Sequence, residues 1–193
     1  MEASFLEFQH KYKEALQVLA EALKKFPGDE KLTYFQGALY ERVGDRQKAL
    51  ENMKAILEKN PKNAHALNFT GYTYTESGGD LELAEKYIRE AKALRPEDGF
   101  IEDSLGWVLF KRGKTQEALE HLERAAKLQP EESIIYEHLG DVYFDQKAFT
   151  QAATAYQKAY TLIAKRDKDQ AKKIEAKLAK VPTEPELATK ANR

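Results

Sequence analysis

The sequence predicts an all-α fold of stacked helix pairs, because three series of small or special residues recur with one period. Glycines stand at positions 37, 71, 106 and 140, at intervals of 34 or 35 residues, and alanines and prolines keep the same step. The series are Gly37, Gly71, Gly106 and Gly140; Ala15, Ala49, Ala84, Ala118 and Ala152; and Pro27, Pro61, Pro96 and Pro130. Such a period is typical of repeat proteins, in which each unit buries its apolar face only against its neighbours.

Within each period the pattern predicts two helices joined by a short turn. Glycine and alanine allow two helix backbones to approach closely, while proline after the second helix prevents its continuation. In the third unit the extra residue falls in the turn at 77–80, where an insertion costs little. In the fifth unit Ala164 stands where proline is expected, so we expect its second helix to continue further. The predicted pairs are 2–9 with 12–25, 30–43 with 46–59, 64–76 with 81–94, 99–112 with 115–128, and 133–146 with 149–164.

A further helix is predicted at about 168–180. Ala171, Ile174 and Leu178 lie three and four residues apart in this lysine-rich segment, which is the spacing of one helix face. Terminal repeats need a polar outer face, and this helix is typical of such a cap. From Pro182 the apolar period ends, and we therefore expect a disordered tail over 182–193.

Composition excludes several classes of function. The chain has 193 residues, a formal net charge of −1 and no cysteine. A nearly balanced charge gives no general attraction to nucleic acid or to an anionic membrane surface. Without cysteine there is no disulfide, thiolate metal site or cysteine nucleophile. No stretch approaches the roughly 20 apolar residues that a membrane-spanning helix needs.

Candidate catalytic residues are few. His138 and Asp141 lie three residues apart on one predicted helix, a spacing that suits a dyad or a pair of metal ligands. No second histidine or carboxylate pair completes a metal site at a recognisable spacing, and we interpret the two residues as an ordinary surface contact. We therefore expect a protein that is not an enzyme and that carries no cofactor or metal.

The contents of the repeats resemble the tetratricopeptide repeat, a helix–turn–helix unit of 34 residues. The fourth unit, 99–132, carries the resemblance most fully, with Leu105-Gly106, Leu109, Ala118, Leu122, Ala125 and Pro130. The resemblance implies a right-handed superhelical solenoid. It implies an array of about five repeats over residues 1–166, the first of them truncated, then a capping helix over 167–181.

The resemblance also implies that certain positions of the first helices line a concave groove. On this chain they include Tyr34, Arg42, Asn68, Tyr72, Asp103, Trp107, Phe110, Lys111, Glu137, Asp141 and Phe144. The middle of this set is aromatic, and aromatic rings give a large contact area at low rotamer cost. Its far end is acidic, which favours a basic segment. We expect a protein-interaction scaffold that binds a basic, aromatic or apolar segment of a partner in this groove.

Other interpretations of these residues stay open. Phe110 and Phe144 lie near helix ends, where they can instead pack against the next repeat. The acidic residues can instead form a solvated face. A second class of function is structural assembly or self-association through the first repeat. Its short first helix leaves an apolar end around Phe5, Leu6 and Phe8.

Three strings are also similar to those of a broad family of bacterial repeat proteins. They are residues 67–72, 101–108 and 138–142. Members of that family are often longer, exported, lipid-anchored envelope proteins, and some are adaptors that bring a protease to its substrates. The resemblance implies a periplasmic or outer-membrane-associated location if this chain is part of a longer exported protein. If the chain is complete, we expect it in the cytoplasm.

Overall fold

A computed structural model describes residues 2–182, and every regular element in that part of the chain is an α-helix. The helices are α1 (Glu2–Phe8), α2 (Tyr12–Lys25), α3 (Glu30–Arg42), α4 (Arg46–Lys59), α5 (Ala64–Glu76), α6 (Leu81–Leu94), α7 (Gly99–Lys111), α8 (Thr115–Leu128), α9 (Ser133–Asp145), α10 (Phe149–Ile163) and α11 (Lys168–Leu178). Odd-numbered helices are the first members of the pairs, and even-numbered helices are the second members. Each predicted helix is found, with its ends within two residues of the predicted ones. Over residues 2–182, no helix combines the length and the apolar character that crossing a membrane requires.

Short polar side chains set the beginnings of many of these helices. At α6, Oδ1 of Asp80 accepts hydrogen bonds from the backbone N–H groups of Glu82 at 2.9 Å and Leu83 at 3.0 Å. These bonds satisfy donors that the first turn of a helix leaves without a partner. The same role is taken at α3, α4, α5, α7 and α11 by Asp29, Asp45, Asn63, Asp98 and Asp167.

The turn inside each pair contains one residue in the left-handed region of backbone space. Three pairs use glycine there, namely Gly44, Gly78 and Gly113, with φ values of 83°, 68° and 78°. The first and fifth pairs use His10 and Lys147 instead, with φ values of 59° and 60°. A side chain in this region costs about 1–2 kcal/mol. Lys147 is therefore held by its surroundings in a conformation that glycine would adopt more easily.

The chain divides into two compact units, one up to Arg95 with α1–α6 and one from Pro96 with α7–α11. In each unit the periodic glycines allow the helices of a pair to touch. A Cβ atom added to Gly71 would lie 2.5 Å from Cγ1 of Ile88, and one added to Gly106 would lie 2.6 Å from Cγ of Leu122. Since real Cβ atoms need more room than this, the glycines are required by the close helix packing.

The unusual positions of the repeat have the local structures that the sequence predicts. Helix α5 ends at Glu76 and α6 begins at Leu81, so the inserted residue lies in the turn between them. Helix α10 has 15 residues, one more than α8, and so continues slightly further, as expected from Ala164. The proposed end of the repeat array at residue 166 stays a prediction. The predicted disordered tail lies, from residue 183 onward, outside the described residues.

Candidate functional site

Five of the predicted groove residues meet at one cleft on the first helices of the second unit. Helix α7 contributes Trp107, Phe110 and Lys111, and helix α9 contributes Asp141 and Phe144. The cleft is open to solvent and has a volume of about 530 Å³. We call it the first-helix cleft. These residues converge because positions three and four apart share one face of a helix and because α7 and α9 pack against each other.

A column of stacked groups runs from the cleft into the interior of the unit. The ammonium of Lys111 lies 4.4 Å from the ring centre of Trp107, a distance at which the aromatic ring attracts the positive charge through a cation–π interaction. The indole stacks on the imidazole of His138 with ring centres 4.0 Å apart. Beyond it, the Nδ1–H group of His138 donates to Oδ1 of Asp103 at 2.9 Å. Trp107 is only 6% exposed, so it offers the cleft an edge while its face is covered.

The carboxylates of Glu137 and Asp141 hold the capping helix α11 against α9. The ammonium of Lys177 donates to Oε1 of Glu137 and to Oδ2 of Asp141, each at 2.7 Å. Gln170 donates to the other oxygen of Glu137 at 2.6 Å, and the hydroxyl of Tyr156 donates to the other oxygen of Asp141 at 2.7 Å. Burial lowers the pKa of Lys177, but the hydrogen bonds to the two carboxylates outweigh burial and raise it above 10.5. All four carboxylate oxygens are therefore already bound within the unit.

Two expectations about charged residues are corrected by these contacts. Asp103 and Glu137 are 4% and 7% exposed, so they do not form the open acidic surface that the repeat resemblance implies. Their partners from α9 and α11 cover them. His138 is 3% exposed and bonds to Asp103 on the neighbouring helix, so it is not a surface contact of Asp141. The roles of Asp103 and Glu137 as partner contacts stay predictions, and the buried surface leaves a partner little access to either.

The predicted groove residues of the first unit lie on α3 and α5. The ring of Tyr34 packs edge-to-face on Phe69 at 5.9 Å, and Tyr72 is half-buried. Arg42 is exposed and pairs with Glu7 of α1 at 3.1 Å. Asn68 is half-buried, and its side-chain oxygen is shielded from solvent without a hydrogen-bond partner in the described part of the chain.

The first-helix cleft also contains residues that reasoning on the first helices alone did not select. Lys147 lies in the turn after α9, Phe149 is the first residue of α10 and Pro182 follows α11. Asp145, at the end of α9, completes the lining and does belong to the groove positions that the repeat resemblance implies. The ring of Phe149 meets that of Phe144 edge-to-face at 5.7 Å. One signal in the sequence marks Lys147, because three of the other pairs have glycine at the equivalent turn position.

The side chains that line the first-helix cleft offer noncovalent contacts. The rings of Phe110, Phe144 and Phe149 supply apolar surface, and Lys111 and Lys147 supply charged hydrogen-bond donors. Within residues 2–182, no group of three or more histidine, aspartate and glutamate side chains is arranged to hold a metal ion. The arrangement is suited to binding an apolar side chain beside polar groups.

Comparison with known proteins identifies the repeat. The family model described as Tetratricopeptide repeat matches residues 34–99 and 104–170, more than half of the chain. TPR repeat-containing protein PA4667 of Pseudomonas aeruginosa is 32% identical over 118 residues, which cover 61% of this chain and 20% of that protein. Photosystem I assembly protein Ycf3 of Cyanophora paradoxa is 36% identical over 107 residues, which cover 47% of this chain and 61% of that protein. The chain thus spans less than two thirds of the length of either relative.

Solved structures have the same fold. TTC0263, a thermophilic TPR protein of Thermus thermophilus, superimposes with a TM-score of 0.78 at 22% identity, covering 92% of this chain and 95% of that chain. MamA of Desulfovibrio magneticus gives a TM-score of 0.63 at 22% identity, covering 86% of this chain and 93% of that chain. These likenesses confirm the predicted all-α fold of repeated helix pairs. The chain therefore belongs to the tetratricopeptide repeat family, whose fold generally serves as a non-enzymatic scaffold for protein–protein interaction.

Proposed function

We propose that this chain is a non-enzymatic scaffold that binds a segment of a partner protein in the first-helix cleft. The observation that supports this proposal is the convergence of five predicted groove residues from α7 and α9 on one open cleft. An apolar or aromatic side chain of the partner lies between Phe110, Phe144 and Phe149. Aromatic walls of this kind bind with a large contact area and little loss of rotamer entropy.

The accessible charges of the cleft define the polar contacts of the partner. Because both carboxylates that hold Lys177 are already bound, the accessible acid is Asp145, and the accessible bases are Lys111 and Lys147. A basic residue of the partner pairs with Asp145, while its backbone carbonyls or acidic side chains accept from the two lysines. The left-handed backbone of Lys147 favours this assignment, since a strained residue is often retained for its side chain.

In the first unit, Asn68 is proposed to bind the backbone of a partner segment. Its side-chain amide can donate and accept at once. Its oxygen is shielded from solvent in the free chain and lacks a partner in the described residues, so the amide must rotate to present it to the segment. Tyr34 and Tyr72, on the first helices α3 and α5, are proposed to flank that segment. Arg42 pairs with Glu7 in the free chain, and it is proposed to leave Glu7 and pair with an acidic group of the partner instead.

Two charge reversals of the same kind test the first-helix cleft. We expect Lys111→Glu to reduce the recovery of partners in affinity capture from the source cell, because it removes a donor from the cleft. The matched control is Lys127→Glu on the exposed face of α8, which should leave recovery unchanged. Lys147→Glu should act like Lys111→Glu, whereas Trp107→Ala and Phe144→Ser are poor tests because they also remove the stack on His138 and the packing on Phe149. The proposal is overturned if the charge reversals in the cleft recover as much partner as the control variant Lys127→Glu does.

Self-association through the first repeat is a second candidate, favoured by two exposed phenylalanines. Phe5 and Phe8 are one turn apart on α1 and are 61% and 82% exposed. Exposed aromatic pairs of this kind are typical of contact surfaces. Sedimentation over a concentration series tests it: we expect a dimer that Phe5→Ser with Phe8→Ser dissociates, and a monomer at every concentration would exclude it.

A further inference from the structure

The first unit contains a second cleft, which none of the predicted groove residues lines. It has a volume of about 480 Å³ and is bounded by α4, α5 and α6. We call it the second-helix cleft. The lining residues that matter here are Leu50, Glu51, Lys54, Leu57, Thr70, Tyr74 and Tyr87. Gln47 and Glu58 complete the lining of nine residues, of which Leu50, Leu57, Tyr74 and Tyr87 supply the apolar walls.

At the equivalent place in the second unit, between α8, α9 and α10, buried side chains pack together. There Leu119, Leu139 and Ala155 form one buried cluster, and Tyr143 packs against it. The hydroxyl of Tyr143 donates to Oε1 of Glu123 on α8 at 2.9 Å. In the second unit, therefore, the chain's own side chains occupy the space between the second helices α8 and α10.

Three exchanges at equivalent positions distinguish this cleft from the corresponding place in the second unit. Thr70 is the seventh residue of α5, where α9 has Leu139, and its hydroxyl donates back to the carbonyl of Ala66 at 2.8 Å. The shorter side chain leaves space that a leucine would fill. Lys54 takes the place of Glu123, so Tyr74 loses the carboxylate that binds Tyr143. Tyr87 takes the place of Ala155, and it packs on Tyr74 with ring centres 6.3 Å apart.

We propose that the second-helix cleft binds an amphipathic helix of a partner protein, which carries a leucine-sized apolar side chain flanked by basic residues. The cleft, with a volume of about 480 Å³ and walls of Leu50, Leu57, Tyr74 and Tyr87, has room for a side chain of that size. The lining on α4 runs from Gln47 to Glu58, three turns or roughly 16 Å at about 1.5 Å per residue, so it can seat three turns of a helix. In the second unit, side chains of α8, α9 and α10 occupy the corresponding space. A row of side chains on one face of a partner helix can therefore fit the second-helix cleft.

The charges at the rim favour a basic partner. Glu51 accepts a hydrogen bond from Gln47 at 3.1 Å, and Glu58 is 4.0 Å from Lys54 in an exposed pair. Two glutamates and one lysine leave the rim negative. Exposed pairs at such distances are weak, so both glutamates are available to a partner lysine or arginine. Within the described residues the hydroxyls of Tyr74 and Tyr87 make no hydrogen bond, so they can serve the polar edge of the partner helix.

The test uses two dye-labelled synthetic helical peptides with the same leucine face. One has lysine and the other has glutamate beside the leucines. Binding to the whole chain is followed by fluorescence anisotropy. We expect the lysine peptide to bind at least about tenfold more tightly than the glutamate peptide. Thr70→Leu should weaken binding by about tenfold or more, because it fills the space that the peptide leucine would occupy.

Two further variants separate a binding site from a general effect on the fold. Glu51→Lys should weaken binding of the lysine peptide, whereas Glu120→Lys, at the equivalent position of α8, should not. Circular dichroism confirms that each variant is folded. The proposal is overturned if neither peptide binds the wild-type chain, if Thr70→Leu binds as tightly as wild type, or if Glu120→Lys has the same effect as Glu51→Lys. It is also overturned if sedimentation shows that Thr70→Leu instead abolishes a dimer, since the occupant is then a second copy. None of these variants touches the first-helix cleft, so the two proposals fail independently.

Discussion

Gly37 and Gly71 occupy the same place in successive repeats, yet we expect them to respond differently to alanine. A Cβ atom at position 71 would lie 2.5 Å from Cγ1 of Ile88 and 2.8 Å from the backbone oxygen of Ala84. That oxygen belongs to α6 and cannot move without moving the helix. At position 37 the closest contact is the terminal methyl of Met53, a flexible group that can turn away. The Cβ of Asn52 is 3.2 Å away, a tight contact that a shift of a few tenths of an ångström relieves, and the backbone oxygen of Ala49 is 3.4 Å away.

The magnitudes follow from two opposing effects. Replacing glycine by alanine in a helix interior favours the helix by about 1 kcal/mol. Overpacking a close helix contact costs about 1–3 kcal/mol. Gly37→Ala should therefore raise the free energy of unfolding by up to about 1 kcal/mol, since little overpacking opposes the gain. Gly71→Ala should lower it by about 0–2 kcal/mol, the overpacking cost less the helix gain.

Urea unfolding followed by circular dichroism measures both free energies. The two variants should differ by up to about 3 kcal/mol, and each kcal/mol corresponds to about 2–4 °C in Tm for a chain of this length. Gly106→Leu should lose more stability than Gly71→Ala. Its Cβ alone would lie 2.6 Å from Cγ of Leu122 and 3.0 Å from the backbone oxygen of Ala118, and leucine adds three more carbons. The reasoning is refuted if Gly71→Ala is at least as stable as Gly37→Ala.

Three further predictions concern buried polar groups. The pKa of Lys177 is raised in the folded chain, so the stability that this residue contributes is complete below pH 10.5 and is lost as the pH rises through the folded-state pKa. Lys177→Met should therefore flatten this part of the curve of unfolding free energy against pH, measured by urea unfolding. An unchanged curve would contradict the assignment. Burial, assisted by the hydrogen bond to Glu123, raises the pKa of Tyr143 to about 12, so Tyr143→Phe should remove a component near that pH from the ultraviolet titration of tyrosine. Persistence of the component would show that another tyrosine produces it. Asp103→Ala should cost about 1–3 kcal/mol, because the buried N–H of His138 loses its acceptor, and it should change the emission of Trp107, the chain's one tryptophan. Stability within about 0.5 kcal/mol of wild type would count against that role.

Features that depend on neighbouring residues were predictable from the sequence. The helix pairs followed from the spacing of Gly37, Gly71 and their equivalents, because helix packing at each step needs a small residue. The turn at 77–80 and the longer α10 followed from a local insertion and from Ala164 in place of proline. The convergence of Phe110, Lys111 and Phe144 on one cleft agreed with the expected face of the first helices.

Features that depend on contacts between repeats were not predictable in the same way. His138 was compared with Asp141 on its own helix, but its partner is Asp103, 35 residues away. Lys177 binds Asp141 and Glu137, which lie 36 and 40 positions before it, and no local pattern in the sequence indicates these two ion pairs. The second-helix cleft is formed by side chains of α4, α5 and α6 together, and no local pattern shows that they meet.

The sequence by itself determined the repeat, its register and the all-helical fold, because a small residue at each close approach is a local requirement repeated at one period. Only the tertiary structure decided which polar side chains stay accessible and which are bound within the chain. The physical reason is that periodicity specifies the direction of a side chain from its helix, whereas exposure depends on what the next repeat places over it. Glu137 shows the difference, since it has the groove spacing and is nevertheless buried beneath Lys177 and Gln170 of the capping helix.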